Sequence, residues 1–306
     1  MSTFKLLLLG LLSTGCIVGD DGAEDEDELS LAKGDNTVAV RVVSHNIEKK
    51  QEVLETTVAH AMNINAHAIA LQEVCPDQVA WLRTNLGGRW TISVNAGKKR
   101  AISGCDLPGG LHDYPASVAI WTGGTGGKVS AYPALSSPAN SPGGAACVQF
   151  ERAKVPVHLC SAHLISADWV DPTTQIAYDG KVLRLQQTTK LKQIARDNWF
   201  AGNKNHFGII AGDLNTQPTT EAIDKLYDGA LGGNGHFTEY NRNGTSRDGH
   251  VTAHADADNE TGMAFSRKID YVFFSTNRAA INGPAVEIKT DASDHDMLTS
   301  TARMRR

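Results

Sequence analysis

Short apolar runs that stop at a polar residue constrain this chain more than any other feature. Val38 to Ser44 (VAVRVVS) is followed by Asn46, and Ala68 to Leu71 (AIAL) by Glu73. Val155 to Ala162 ends at His163, and Phe207 to Ala211 (FGIIA) leads to Asp213 and Asn215. Runs this short, rich in β-branched residues and bounded by turn formers, read as buried strands. Val118 to Trp121 reads the same way. Lys268 to Ser275 (KIDYVFFS) carries Asp270 inside it, and Val286 to Lys289 precedes Ser293, Asp294 and His295.

Helical periodicity fills the gaps. Residues 52–62 (EVLETTVAHAM) place Leu54, Val58, Ala61 and Met62 on one face. Pro76 opens a second helix, in the first-turn position that tolerates it. Residues 182–199 align Leu183, Leu191, Ile194 and Ala195. Interleaved strands and helices, with hairpins among them, imply an α/β fold of mixed sheets covered by helices around one core. Hydrophobic residues make up 41% of the 306, enough for such a core.

Two Gly-rich stretches, 95–117 and about 231–262, interrupt this pattern, and long loops of that kind tend to be functional. The first contains Lys98, Lys99 and Arg100. Gly123 to Lys128 (GGTGGK) reads as a hairpin turn, because a phosphate-binding loop needs Ser or Thr after the lysine and Val129 follows. GxSxG, HExxH and CxxC are absent, which argues against a serine nucleophile elbow and common zinc sites.

The N-terminus is expected to be removed or anchored rather than folded. Lys5, the apolar Leu6 to Leu12 and the small residues before Cys16 read as a signal peptide over residues 1–16. Gly15-Cys16 also resembles a bacterial lipobox, with Ser13 standing where Leu is usual. Both fates stay open: a secreted protein, or an outer-surface lipoprotein of a bacterium held to the membrane through lipidated Cys16. Residues 20–28 (DDGAEDEDE) hold seven acids, so 17–37 reads as an acidic disordered tether. That tract accounts for the net charge of −5 and leaves 38–306, the expected catalytic domain, close to neutral. Export also predicts oxidised cysteines. Cys147 and Cys160 flank an expected hairpin and would face each other, leaving Cys75 for Cys105.

Each strand-end polar residue has an ordinary explanation alone. Asn and Asp are common turn residues, and a lone His163 is more often a structural hydrogen-bonding group. Asp270 is harder to explain so, because a carboxylate inside an apolar strand is costly without a partner. Together the set has chemical logic. Glu73 and Asp294 are hard oxygen donors suited to Mg²⁺, Mn²⁺ or Ca²⁺, and Asn46 adds a carbonyl oxygen. Two histidines and a buried acid supply acid–base parts. A metal, an activated water and a proton source are what phosphoester hydrolysis requires.

In that chain order, SHNIEKK, IALQEV, SAHL, AGDLNTQP, KIDYVFFS and SDHDML resemble the endonuclease/exonuclease/phosphatase superfamily. That group includes deoxyribonuclease I-like nucleases, bacterial sphingomyelinases and inositol polyphosphate phosphatases. The resemblance spans about 38–303, and AGDLN and SDH are its most specific segments. It implies a four-layer α/β sandwich, with two mixed β-sheets face to face and helices outside. It implies that Asn46, Glu73 and Asp294 hold the metal, and that His295, oriented by Asp270, is the general base. His163 would stabilise or protonate the leaving side. Asp213 would orient the nucleophile or a second metal, and Asn215 would contact the phosphate. Arg184 and Gln187 match a helix position near the site in this group. Two departures fall on the substrate side: Glu48, Lys49 and Lys50 follow the first Asn, and Pro115-Ala116-Ser117 replaces a glycine-containing segment.

The resulting expectation is a metal-dependent phosphodiesterase, with monomer as the default state. Its substrate would be nucleic acid, a phospholipid head group or an inositol phosphate. A near-neutral body gives little counterion-release affinity for nucleic acid beyond the Lys98–Arg100 cluster. Trp169 in SADWVDP is the candidate for a lipid-facing side chain. The rival of another class is a non-catalytic surface binding module on the same scaffold.

Overall fold

In the computed structural model, which describes residues 36–95, 105–107, 111–113, 115–202, 204–255, 265–289 and 293–306, twelve strands sort into two six-stranded sheets, and shorter segments pair into three two-stranded ribbons, one of them Trp169–Val170 with Ala177–Tyr178. The expected leader, the seven-acid tract and the Lys98–Arg100 cluster lie outside the described residues. The first sheet is built from β1 (Thr37–Asn46), β2 (Ala68–Val74), β3 (Thr91–Asn95), β4 (Ala116–Trp121) and two late strands. The second contains β5 (Lys128–Tyr132), β6 (Gly144–Arg152), β7 (Val155–His163), β8 (Phe207–Asp213), β9 (Phe237–Glu239) and β10 (Asp270–Ser275). The late strands, β11 (Ala279–Lys289) and β12 (Met297–Arg305), return to the first sheet. The spatial orders are β11-β12-β1-β2-β4-β3 and β9-β10-β8-β7-β6-β5.

Each sheet has one parallel pair at its centre, β1 with β2 and β7 with β8, and antiparallel neighbours elsewhere. Parallel strands need a crossover, and a helix supplies each one. Helix α1 (Gln51–Asn63) joins β1 to β2, and α3 (Gly180–Ala195) lies between β7 and β8. A second helix, α2 (Pro76–Asn85), follows β2; Pro76 stands at its start, and the Gln78 side chain accepts the Cys75 N–H at 2.8 Å. Asp179 caps α3 by accepting the Lys181 and Val182 N–H groups.

Strand alternation dictates the layers. Ala68 and Ala70 of β2 point into the core between the sheets, with Val42, Ala119, Val148, Leu159, Ile209 and Phe274. Ile69 and Leu71 point the other way, against Val53, Leu54 and Val58 of α1 and Leu82 of α2. On the far side, Cys147, Cys160, Ile210 and Phe273 meet Leu191, Ile194 and Ala195 of α3. The result is the four-layer sandwich: helix, sheet, sheet, helix.

Three expectations change. GGTGGK is no hairpin: β4 before it and β5 after it belong to different sheets, so it carries the chain across the sandwich. Met62 is 45% exposed, at the end of α1 and off the buried face. The helix expected over 182–199 is regular to Ala195 and then widens into a π turn, Arg196–Phe200, that buries Trp199. Both disulfides form as paired in the sequence reading. Cys147 and Cys160 are register partners across the β6–β7 hairpin, and Cys75 at the head of α2 is bonded to Cys105.

Candidate active site

Four of the site residues sit at the carboxyl ends of the two parallel pairs, the usual position for a site in open α/β sheets. Asn46 ends β1, Glu73 is the penultimate residue of β2, His163 ends β7 and Asp213 ends β8. Asp270 opens β10 and is the register partner of Asp213, so it joins them from the antiparallel neighbour. His295 precedes β12, whose first residues pair with the end of β1, Leu298 opposite Ser44. Two polar groups staple the sheets beneath the site. Gln72 Nε2 donates to Ser161 Oγ at 2.9 Å, and that hydroxyl donates to the Leu71 carbonyl at 2.8 Å. Gly212 lies here at φ +134°, where an added Cβ would stand 2.1 Å from the Ala162 carbonyl oxygen. Only glycine fits both the conformation and the space.

The side chains form a linked array. Asp270 accepts from His295 Nδ1 at 2.9 and 3.1 Å and from the Thr252 hydroxyl at 2.9 Å. The other nitrogen of His295 faces Asp213 Oδ2 at 3.7 Å. That same oxygen lies 3.5 Å from His163 Nε2 and accepts from Asn46 Nδ2 at 3.1 Å. Asn46 Nδ2 also lies 3.4 Å from Glu73 Oε1. The buried Asp270 thus found the histidine partner its cost demanded. Ser293 accepts the His295 N–H and donates to the Asn46 carbonyl, locking the two segments together.

Charge sets the protonation states. Burial pulls the His295 imidazole down, but Asp270, Asp213 and Asp294 outweigh it and hold it well above the ordinary histidine value. Burial pushes the Glu73 carboxyl up. His163, Lys49, the Asn46 amide and His295 overcome that and leave it below its usual value. Asp294 stays raised: burial acts first, and the negative charges of Glu48 and Glu73 add to it against His295.

Two groupings could hold a cation. Asp213, Asp270 and His295 bring ligand atoms within 4.8 Å of one another. These residues are 2%, 2% and 9% exposed, and both imidazole nitrogens already face carboxylates. Mg²⁺-like ions keep several waters, for which that interior gives no room. Glu73 and Asp294 form the rim instead, with side chains 21% and 44% exposed. Their mutual repulsion and that of Glu48 favour a cation there, so the rim fits a hydrated divalent ion. Asn46 fits less directly than expected: its oxygen accepts the Glu48 N–H at 3.1 Å, and its NH₂ group faces the carboxylates. It orients Glu73 and Asp213.

Other expected residues act through neighbours. Asn215, at φ +48°, donates its side-chain N–H to the Leu164 carbonyl at 3.0 Å, clamping the segment after His163. Arg184 donates to the Ile165 and Ser166 carbonyls, and Gln187 accepts the Ile165 N–H. Trp169 points inward: it is 8% exposed and packs on Tyr178, Ile165 and Leu183. Thr252 was not foreseen, because it lies in a polar loop without periodicity. Nor was a second His–Asp pair, His254 Nε2 to Asp296 Oδ2 at 3.1 Å, although Asp296 directly follows His295.

Comparison with known proteins agrees with this fold. A profile described as the Endonuclease/Exonuclease/phosphatase family matches residues 43–295. No curated protein sequence matches the chain. Among solved structures, truncated TDP2 from Caenorhabditis elegans superposes with a TM-score of 0.57 at 18% identity, covering 86% of this chain and 97% of that one. The human Nocturnin catalytic domain, solved with a bound sulfate anion, gives 0.58 at 15% identity, covering 87% and 93%. TDP2 from D. rerio, complexed with a single-strand DNA product, gives 0.54 at 12% identity, covering 88% and 98%. At such identities the likeness shows the shared fold, while the profile match shows the lineage: the chain belongs to the endonuclease/exonuclease/phosphatase family.

Proposed function

We propose that this protein is an exported, divalent-metal-dependent phosphodiesterase. The observation that carries the reading is the array Asp270–His295···Asp213···His163, flanked by the Glu73–Asp294 rim. When bound at that rim, the cation would neutralise phosphate charge and polarise the phosphoryl group. Asp270 keeps one His295 proton on Nδ1, so Nε2 is the atom that, in the neutral ring, takes a proton from water, and the carboxylates around it stabilise the imidazolium that results. The two imidazoles flank one Asp213 oxygen, so a proton accepted on the His295 side is matched by one supplied on the His163 side to the leaving oxygen. Asn215, Arg184 and Gln187 hold the segment that carries His163. Two disulfides suit an oxidising compartment and support export.

Nucleic acid is the substrate class we favour, since a family relative has been captured with a DNA product. A phospholipid head group is the second reading. Val170, Ile176 and Val182 are each about half exposed, on and beside the hairpin that Trp169 anchors. The test is an assay of the purified protein with Mg²⁺, Mn²⁺ or Ca²⁺ against DNA, RNA, sphingomyelin and an inositol phosphate, with an EDTA control. We expect metal-dependent cleavage that His163→Ala and His295→Ala abolish. Cleavage that persists in both variants would remove the histidine array from the reaction, and no cleavage of any phosphoester would leave the binding-module reading standing.

A further inference from the structure

Two consecutive non-glycine residues after Asn46 adopt the left-handed conformation, Glu48 at φ +49° and Lys49 at φ +61°. L-residues rarely do so. Here the turn is fixed by backbone bonds, Ile47 N–H to the Gln72 carbonyl at 3.1 Å and Lys49 N–H to the Glu73 carbonyl at 3.2 Å. Glu73 is itself left-handed, at φ +55°. The outcome places the Lys49 ammonium 3.3 Å from Glu73 Oε2. The other Glu73 oxygen faces Asn46 Nδ2. A cation approaching Glu73 therefore meets a donor on each of its two oxygens. Asn46 is 1% exposed and bonded on both ends of its amide, whereas the Lys49 side chain is 40% exposed on a flexible stem. Lys50 does not take part, because its ammonium is held by Glu48 at 2.6 Å.

We propose that Lys49 is a tethered counter-ion that competes with the divalent cation for Glu73 and so sets the affinity of the rim for metal. This rests on the metal-site reading above. A single positive charge about 6 Å from a divalent ion, in water-like surroundings, weakens its binding roughly ten-fold. The purified protein, titrated with Mn²⁺ at constant ionic strength and read by the electron paramagnetic resonance of the free ion, tests this without any turnover. Lys49→Met should bind Mn²⁺ about ten-fold more tightly than the unaltered protein. Lys49→Arg, which keeps the charge, should stay near the unaltered value, and Glu73→Gln should bind more weakly. If Glu73→Gln weakens binding while Lys49→Met leaves it unchanged or weaker, the competition is refuted and the metal site survives. If Glu73→Gln binds as the unaltered protein does, Glu73 is no ligand and both ideas fall.

Discussion

Asp270→Asn tests the relay with almost no change in shape. The carboxylate serves the imidazole N–H at 2.9 and 3.1 Å and the Thr252 hydroxyl at 2.9 Å. The Thr252 oxygen is itself committed to accepting the Ile269 and Asp270 N–H groups, so its own hydrogen must go to residue 270. An amide has one acceptor oxygen for these two donors, and its NH₂ end would face one of them. Either His295 loses the partner that fixes its tautomer, or Thr252 loses its acceptor. The charge that favours a protonated imidazole is lost in both cases. Misplacing a general base in this way costs about 3–5 kcal/mol of barrier, or roughly 10²–10⁴ in kcat. The assay is steady-state hydrolysis of an aryl phosphodiester, with urea melts to confirm folding. Thr252→Val, which removes one hydroxyl and leaves the charge, should lose about ten-fold by the usual worth of a hydrogen bond to a charged group. A folded Asp270→Asn protein that kept more than a tenth of kcat would refute the relay.

Other predictions concern stability. Lys268→Met strands the buried Glu239 carboxylate, which is 1% exposed, together with the Asn241 and Arg247 carbonyls, so urea melts should show a loss of about 3–5 kcal/mol. Adding Glu239→Gln should recover part of it. Burial, with Arg152 and Arg41, pushes the His67 imidazole down to about 3, and burial, with His206, Lys204 and Lys128, does the same to His158. The unfolded chain takes up these protons near pH 6.5 and the folded chain does not. Stability should therefore fall as pH drops from 6.5 toward 3, by about 2 kcal/mol per histidine between 6.5 and 5, as denaturant titrations at both pH values would show. Replacing Cys75 and Cys105 by Ser opens a link across 30 residues and should lower stability by about 3–4 kcal/mol in the same measurement.

The sequence was most legible where burial cost dictates structure. Short apolar runs located most of the strands that carry the site, and the expense of a charge within KIDYVFF pointed to a partner for Asp270, which proved to be His295. The alternation in AIALQEV separates Ala68 and Ala70, facing the other sheet, from Ile69 and Leu71, facing the helices. What alternation does not encode is which sheet a strand joins. GGTGGK looked like a hairpin because its turn residues report a reversal, not the identity of the next neighbour. Hydrogen-bond direction was equally hidden. Asn46 ends its strand and Asn215 follows its own, yet the amide of Asn46 turns its oxygen to a backbone N–H, and that of Asn215 gives a hydrogen to a carbonyl. Thr252 and Lys49 depend on contacts between segments far apart in sequence, for which no local pattern exists.

The account stands or falls on a cation held between Glu73 and Asp294 at the mouth of the histidine array. Anomalous diffraction from crystals soaked in Mn²⁺ and inorganic phosphate measures this directly. We predict a manganese peak bonded to both carboxylates, with the Lys49 ammonium moved off Glu73. A peak seated instead among Asp213, Asp270 and His295, or none near either carboxylate, would contradict it.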